Sequence, residues 1–322
     1  MSSLILPPGY QREQSIVGDR LRIPEGQPGA APAQGRVAET IPTGAAAQAA
    51  LDFTDMGFIS YFNLMNKRET AESSFTVPQH MYPICRALTD DRIKKLLVII
   101  GPGSGKSYLI SVSFVSFLLG CRPEFTVVGI SAGEALMQGF QSAVMTWIES
   151  SNAWKACFPA VRPNRDLGWS TEAGMFVSGH RDGDPDASYI GLGISSKRLT
   201  GVHGRIILGD DLHDKENSAS EDACLRVRET FYKQIMGRAD PQGARYIMVG
   251  RRWHQADLYG HLEETGEYVV MKLASMRSQK EMPTKDGKKW LYWEVTIPDG
   301  VICTFNEHLY PPANTNQQPQ VA

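Results

Sequence analysis

An α/β architecture, with a central and mostly parallel sheet flanked by helices, is the fold class predicted by three features of this 322-residue sequence. Short apolar runs of strand length alternate with longer stretches of helical periodicity. One such run, Leu96–Ile100, opens into the glycine-rich turn GPGSGKS at Gly101–Ser107 and then into a helix-forming segment. Another, RIILGDD at Arg205–Asp211, ends on two adjacent aspartates.

Each element follows in chain order. Residues 1–50 are rich in Pro, Gly, Ala and Gln, with too few large apolar groups to offset the entropy of ordering, so a disordered N-terminal arm is expected. LDFTDMGFISYFNLM, Leu51–Met65, predicts a short helix packed on the domain that begins there. The strand Leu96–Ile100 is followed by the helical SYLISVSFVSFLLG, by a strand at Thr126–Ser131 and by a helix over Glu134–Glu149. Two strand-like runs, Gly174–Gly179 and Ser188–Ser195, flank the polar loop HRDGDPD and read as a hairpin insertion. After RIILGDD, the S-x-x-E spacing of Ser218 and Glu221 predicts a helix N-cap. Ala223, Val227, Phe231 and Ile235 give that helix one apolar face, and Gly237 supplies its stop. ARYIMVGRRW and YVVMKLASM add two strands on either side of a short helix near Leu258–Glu264. Beyond them KDGKKWLYWEV predicts a hairpin turning at Asp286 and Gly287, and the tail PPANTNQQPQVA reads as disordered. There is no internal repeat.

Composition narrows the functional classes. With 42% hydrophobic residues the chain can bury one large core or two modest ones. A formal net charge of −2 excludes a protein that coats nucleic acid nonspecifically, so any contact with DNA is local. Five cysteines, an odd number without a C-x-x-C pair, indicate neither a disulfide framework nor a zinc site and fit a reducing cytoplasm. Neither a signal peptide nor an apolar run of roughly eighteen residues is present, so secretion and a membrane span are not expected.

The turn at Gly101–Ser107 has the chemistry of a phosphate-binding loop. Gly101, Gly103 and Gly105, with Pro102 and Ser104 between them, let successive backbone N–H groups turn toward an anion, and the following helix adds the positive end of its dipole. Lys106 suits the β- and γ-phosphates of a nucleotide, and the Ser107 hydroxyl suits the magnesium that bridges them. Ile100 stands where the pattern G-x-x-x-x-G-K-[ST] has its first glycine. A glycine-rich turn without a nucleotide is the plainer alternative; strand before, helix after and the intact G-K-S favour the phosphate site.

Hydrolysis further needs carboxylates at the metal and at the attacking water. Asp210, at the tip of its strand, is the metal candidate, and Asp211 the candidate for the water; capping of the next helix by both acids is the competing reading. Arg198 is the candidate to meet charge on the γ-phosphate, in cis or from a neighbouring subunit, against Lys197, Arg205 and a solvated loop charge. VGRRWHQADL at Val249–Leu258 places Arg251, Arg252, His254 and Asp257 at another strand tip, suited either to sensing the γ-phosphate or to a structural role.

Taken together, FTVPQHM (Phe75–Met81), IIGPGSGKSYLIS (Ile99–Ser111), LTGVHGRIILGDDLHDKEN (Leu199–Asn217) and VGRRWHQADLYGHL (Val249–Leu262) resemble the ATPase domain of the large terminase subunit of tailed bacteriophages. The resemblance covers about Leu51–Met276 and implies a P-loop NTPase of RecA/ASCE type that hydrolyses ATP with Mg to drive double-stranded viral DNA into a procapsid. It implies the portal protein and the small terminase subunit as partners, a homo-oligomeric ring on the portal, and the cytoplasm of an infected bacterial host, with no membrane partner and no place in the mature virion. It further implies that Gln79 contacts the adenine, against the plainer reading of a surface glutamine opening a helix after Pro78. Asp210 and Asp211 match the magnesium aspartate and the catalytic acid, and phosphate loops without the first glycine are tolerated. DNA-gripping candidates are Arg226, Arg228, Lys233 and Arg238, against a solvated helix face.

Two departures stand out. Arg251 occupies the place before R-W-H that usually carries a threonine or serine to couple hydrolysis to motion. The ribonuclease-H-like nuclease that follows in complete members is not expected within these residues, and neither is nuclease activity. The expected division is thus an arm at 1–50, an ATPase domain at 51–276 and a linker or tail at 277–322. A helicase-like or DNA-repair ATPase, and a nucleotide-gated assembly module that barely hydrolyses ATP, remain as alternatives. A GTPase or small-molecule kinase lacks its own motif here.

Overall fold

The fold is described from a computed structural model, in full for residues 52–67, 76–78 and 81–273 and as backbone for 276–283 and 289–296. Eight apolar runs form strands: β1 (Lys95–Ile100), β2 (Val127–Ser131), β3 (Trp169–Ser170), β4 (Gly174–Met175), β5 (Tyr189–Gly193), β6 (Ile206–Asp210), β7 (Arg245–Gly250) and β8 (Val269–Leu273). They make one sheet of order β3-β4-β5-β2-β6-β7-β1-β8. From β5 to β8 every pairing is parallel, and only β3 and β4 at the edge run antiparallel. Strands β2, β5, β6 and β7 are buried along their whole length, as parallel strands covered on both faces must be.

Alternation along the strands sorts the core into two layers. Leu96 and Val98 of β1, Leu208 of β6, and Ile247 and Val249 of β7 face one layer. That layer holds the helix after the glycine-rich turn, π-helical over Tyr108–Phe114 and continuing as α3 (Val115–Cys121), together with α1 (Asp55–Met65), α2 (Tyr82–Thr89), α4 (Glu134–Ser150) and α5 (Asn152–Cys157). Leu97, Ile207, Tyr246 and Met248 face the other, against α6 (Glu221–Thr230) and α7 (Leu258–Glu264).

The layers are pinned by a few specific contacts. Thr54 caps α1 by accepting from Gly57 N–H at 3.0 Å, and Phe58 and Tyr61 of that helix pack on Phe117 with ring centroids 5.4 Å apart. Arg245 is buried in β7, and its guanidinium donates to the carbonyls of Ala87, Leu88 and Ile93, so it closes the C-terminal end of α2 onto the sheet. Cys85, Cys157 and Cys224 are free thiols, and burial pushes Cys121 up to about 12 and Cys157 up to about 11.

Several expectations change in detail. The α6 N-cap is Ser220, which accepts from Ala223 N–H at 3.2 Å, whereas Ser218 turns its hydroxyl to the Asp214 carbonyl. Glu221 is therefore the first helical residue and too early to close the predicted box. The stripe Ala223, Val227, Phe231 and Ile235 is buried as expected, but the helix becomes π-helical over Phe231–Ile235. A strict four-residue repeat drifts around a 3.6-residue helix, and the wider π turn reverses that drift. Gly237 lies inside a closing 3-10 turn, Met236–Arg238. The hairpin insertion shrinks to Met175 opposite Tyr189, with β3 added outside it.

Strands β9 (Met276–Pro283) and β10 (Lys289–Thr296) pair antiparallel in a separate two-stranded sheet. The predicted turn at Asp286 and Gly287, the arm at 1–50, the tail and Gln79 lie outside the described residues. Among the described residues no helix is long and apolar enough to cross a membrane.

Candidate functional site

Three strand tips meet at the C-terminal edge of the sheet, where open α/β sheets bind ligands. β1 delivers the turn Gly101–Ser107, β6 delivers Asp210 and Asp211, and β7, paired to both, delivers Arg251 and Arg252. Gly103 and Gly105 have φ of +72° and +78°, a region closed to most side chains. The space beside Gly105 is open, so backbone conformation rather than crowding requires glycine there.

Asp210 is fully buried at the end of β6 and takes two hydroxyl donors from the helix after the turn. Ser107 donates to Asp210 Oδ1 at 3.1 Å, and Ser111 donates to Oδ2 at 2.6 Å. Four residues apart in this π-helical stretch, the two serines present both hydroxyls to β6. Burial drives the Asp210 carboxyl up to about 6; Ser111 opposes that rise, the Asp211 charge adds to it, and Ser107 and Lys106 pull back.

Asp211 has φ +44°, the one non-glycine left-handed residue among those described. Aspartate tolerates this region at a cost of about 1 kcal/mol, and the backbone around it is held on both sides. Its N–H donates to the Val249 carbonyl at 2.9 Å, and its carbonyl accepts from Ala132 N–H at 3.1 Å. Asp211 Oδ2 accepts from Lys106 Nζ at 2.8 Å, while Oδ1 is buried without a partner. The Ser104 hydroxyl is buried and unpartnered as well. Orphaned oxygens beside a lysine and a glycine cradle suit a magnesium ion and phosphate oxygens, because a hard cation takes oxygen donors and a phosphate takes N–H and O–H donors. Ser107 and Asp210 would hold the metal.

The loop that carries the aspartates is tied to α7. Leu212 N–H donates to the Tyr259 hydroxyl at 2.7 Å, and that hydroxyl donates to the Val249 carbonyl at 3.0 Å. His213 Nε2 accepts from Leu258 N–H at 2.9 Å, with Nδ1 3.1 Å from Asn217 Oδ1, so the ring is neutral and protonated on Nδ1. Asp257 caps α7 through Gly260 N–H at 2.9 Å and accepts from Trp253 N–H at 2.7 Å.

The two arginines of the β7 tip divide in role. Arg252 pairs with Asp257 at 2.8 Å and donates to the Gln255 carbonyl at 3.0 Å. Its guanidinium lies over Gly260, where any Cβ would come within 2.2 Å of it. Arg252 is therefore structural. Arg251 rests 3.8 Å above the Trp253 ring and has no carboxylate partner among the described residues.

The other sequence candidates are not gathered here. Arg198 is exposed in the 3-10 turn Lys197–Gly201 and donates to the Glu172 carbonyl, away from Lys106 and Asp211. Arg205 precedes β6 and lies 5.0 Å over Phe125, which puts it at the opposite end of the strand from the aspartates. Lys197 lines a cleft of about 600 Å³ with Asn217, Arg226 and Gln234, and no residue of Gly101–Ser107 lines it. Of the DNA-gripping candidates, Arg228 contacts His261 at 2.9 Å, Arg238 donates to the Gln234 and Thr200 carbonyls and Lys233 pairs with Glu229. Arg226 alone opens on the cleft.

Sequence reasoning missed Ser111, His213 and Tyr259. For Ser111 the signal was a second serine four residues after Ser107, on the same helix face. Compared with protein-family models and with curated proteins, the chain finds no match.

Proposed function

We propose that the protein is a magnesium-dependent ATP hydrolase of RecA/ASCE type, working as the motor that drives double-stranded viral DNA into a procapsid. The observation that carries the hydrolase reading is the convergence of Lys106 and Ser107 with Asp210 and Asp211, at 2.8 and 3.1 Å. Strand β7, lying between β1 and β6, fits the additional strand for which the ASCE class is named.

The mechanism follows from which groups hold which charge. Lys106, now paired with Asp211, exchanges that carboxylate for phosphate oxygens when the nucleotide enters. Asp211 is thereby released to orient the attacking water and accept its proton, with the unpartnered Oδ1 available for the contact. Ser111 keeps Asp210 oriented, and Ser107 and Asp210 would hold the metal. Magnesium, when bound, would supply charge neutralisation to the phosphates.

The packaging role, with portal protein, small terminase subunit and a ring of copies on the portal in an infected bacterial cell, rests on the four matching segments. An exposed Arg198 is available to a neighbouring copy in such a ring. Steady-state turnover tests the site: Lys106→Ala abolishes ATP hydrolysis, and Asp211→Asn binds MgATP without hydrolysing it. Normal turnover in both variants removes the assignment. Stimulation by portal-bearing procapsids beyond that given by bare DNA separates a packaging motor from a helicase-like ATPase.

A further inference from the structure

Arg251 and Arg252 are chemically identical neighbours with opposite surroundings. The Arg252 charge is consumed by Asp257 and by backbone carbonyls. Arg251 is half-buried, has its guanidinium carbon 3.8 Å from the centroid of the Trp253 ring, and meets no acid among the described residues. Such a cation, at the edge of the sheet where ligands bind, is free to take an anion from outside the chain.

Its place in the sheet indicates where that counter-ion would sit. Register pairs Val249 with Asp210 on one side of β7 and Gly250 with Ile99 on the other, so Arg251 follows between the aspartate tip and the first residue of the glycine-rich turn. Alternation sets Ile247 and Val249 on the layer of the helix that carries Ser107 and Ser111. Arg251 and Trp253 follow in the coil directly after β7, two residues apart and in contact with each other. Lys106 already stands opposite Asp211, and Asp210 adds a second negative charge. A nucleoside triphosphate brings more negative charge than Lys106 and one divalent metal can balance together.

We propose that Arg251, held over Trp253, supplies in cis the cation that binds the terminal phosphate and stabilises it during transfer to water. The proposal rests on the ATP-hydrolase reading of the site. In the step it serves, the water oxygen bonds to the γ-phosphorus and the bond from that phosphorus to the β–γ bridging oxygen breaks. The electron pair leaves with ADP, and the water proton passes to Asp211. Arg251 meets the charge that spreads over the equatorial oxygens, which a planar guanidinium does with two parallel N–H donors. Trp253 holds the guanidinium in place before the substrate arrives, so little reorganisation remains for the reaction.

Single-turnover hydrolysis and MgADP affinity in the full chain provide the test, with Arg251→Gln, Arg251→Ala and Lys106→Ala beside the wild type. The expected result is a loss of at least about 10²-fold in hydrolysis for both Arg251 variants, with MgADP affinity kept within about threefold. Free guanidinium is expected to restore part of the rate to Arg251→Ala, which a purely structural role would not allow. Hydrolysis within about threefold of wild type in both Arg251 variants, with Lys106→Ala inactive, overturns the arginine's role and leaves the ATP site standing. A parallel loss of MgADP affinity without guanidinium rescue overturns it as well. A wild type that neither binds nor hydrolyses MgATP overturns both.

Discussion

Asp210 is subject to opposing demands. Its burial disfavours the charge, and two serine hydroxyls and Lys106 compensate only in part, so the carboxyl titrates near 6 rather than in its usual range. A group held this way costs stability when ionised and is retained for what it binds. Asp210→Asn is therefore expected to raise the midpoint of thermal unfolding of the nucleotide-free protein by a few degrees, on the order of 1 kcal/mol, while magnesium-dependent turnover is lost. A lower midpoint with turnover intact would contradict the account. Much of this chemistry was legible in the sequence, because Gly101–Ser107 and Asp210–Asp211 are contiguous and each carries its meaning in its own order. Ser111 was not: its partner Asp210 lies 99 positions away, and the pairing exists only once β6 is laid beside the helix. Within one chain Arg198 bonds the Glu172 carbonyl, so its sequence proximity to the aspartate strand leaves it the role offered from a neighbouring copy.

Two elements owe their placement to single buried side chains. The neutral His213 ring holds the N-terminus of α7 by accepting from Leu258 N–H. Burial pushes its pKa down against the pull of Asp257, Asn217 and Asp214. The folded state thus binds the proton less readily than the unfolded chain, so the contribution of His213 is complete above about pH 6.5 and is lost as pH falls below it. Between pH 7.5 and 5.5 the wild type is expected to lose more stability than His213→Gln, whose amide oxygen still accepts the bond, read as a larger fall in the unfolding midpoint. Equal losses in the two proteins would remove His213 from the explanation. Arg245 does comparable work at the other end of the sheet, where its guanidinium donates to three carbonyls around the end of α2. Arg245→Met keeps the apolar stem and strands those carbonyls, so a destabilisation of about 2–4 kcal/mol is expected, read as a lower urea midpoint with an unchanged slope. Neither role was visible beforehand, since an arginine opening a strand and a histidine after two aspartates read as surface charges until the layers close over them.

At the scale of the whole molecule, periodicity announced the strands but could not order them. Apolar runs show that β1, β6 and β7 exist; that β7 lies between the other two follows from how the crossovers lie on the sheet, which local composition does not encode. That order makes the site a property of the assembled sheet, since its groups come from three strands that are separate in sequence. Filling the site should therefore stabilise the entire described α/β unit rather than one loop. A ligand that binds only the folded state adds RT ln(1 + [L]/Kd), about 2.7 kcal/mol at a hundredfold excess over Kd. For a domain of this size that corresponds to a rise of roughly 5–10 °C in the unfolding midpoint with a slowly hydrolysed ATP analogue and magnesium. Lys106→Ala is expected to abolish the rise, and omission of magnesium to shrink it. A nucleotide held elsewhere, for instance in the cleft between Lys197 and Arg226, would stabilise wild type and Lys106→Ala alike. That result would move the binding site away from Gly101–Ser107.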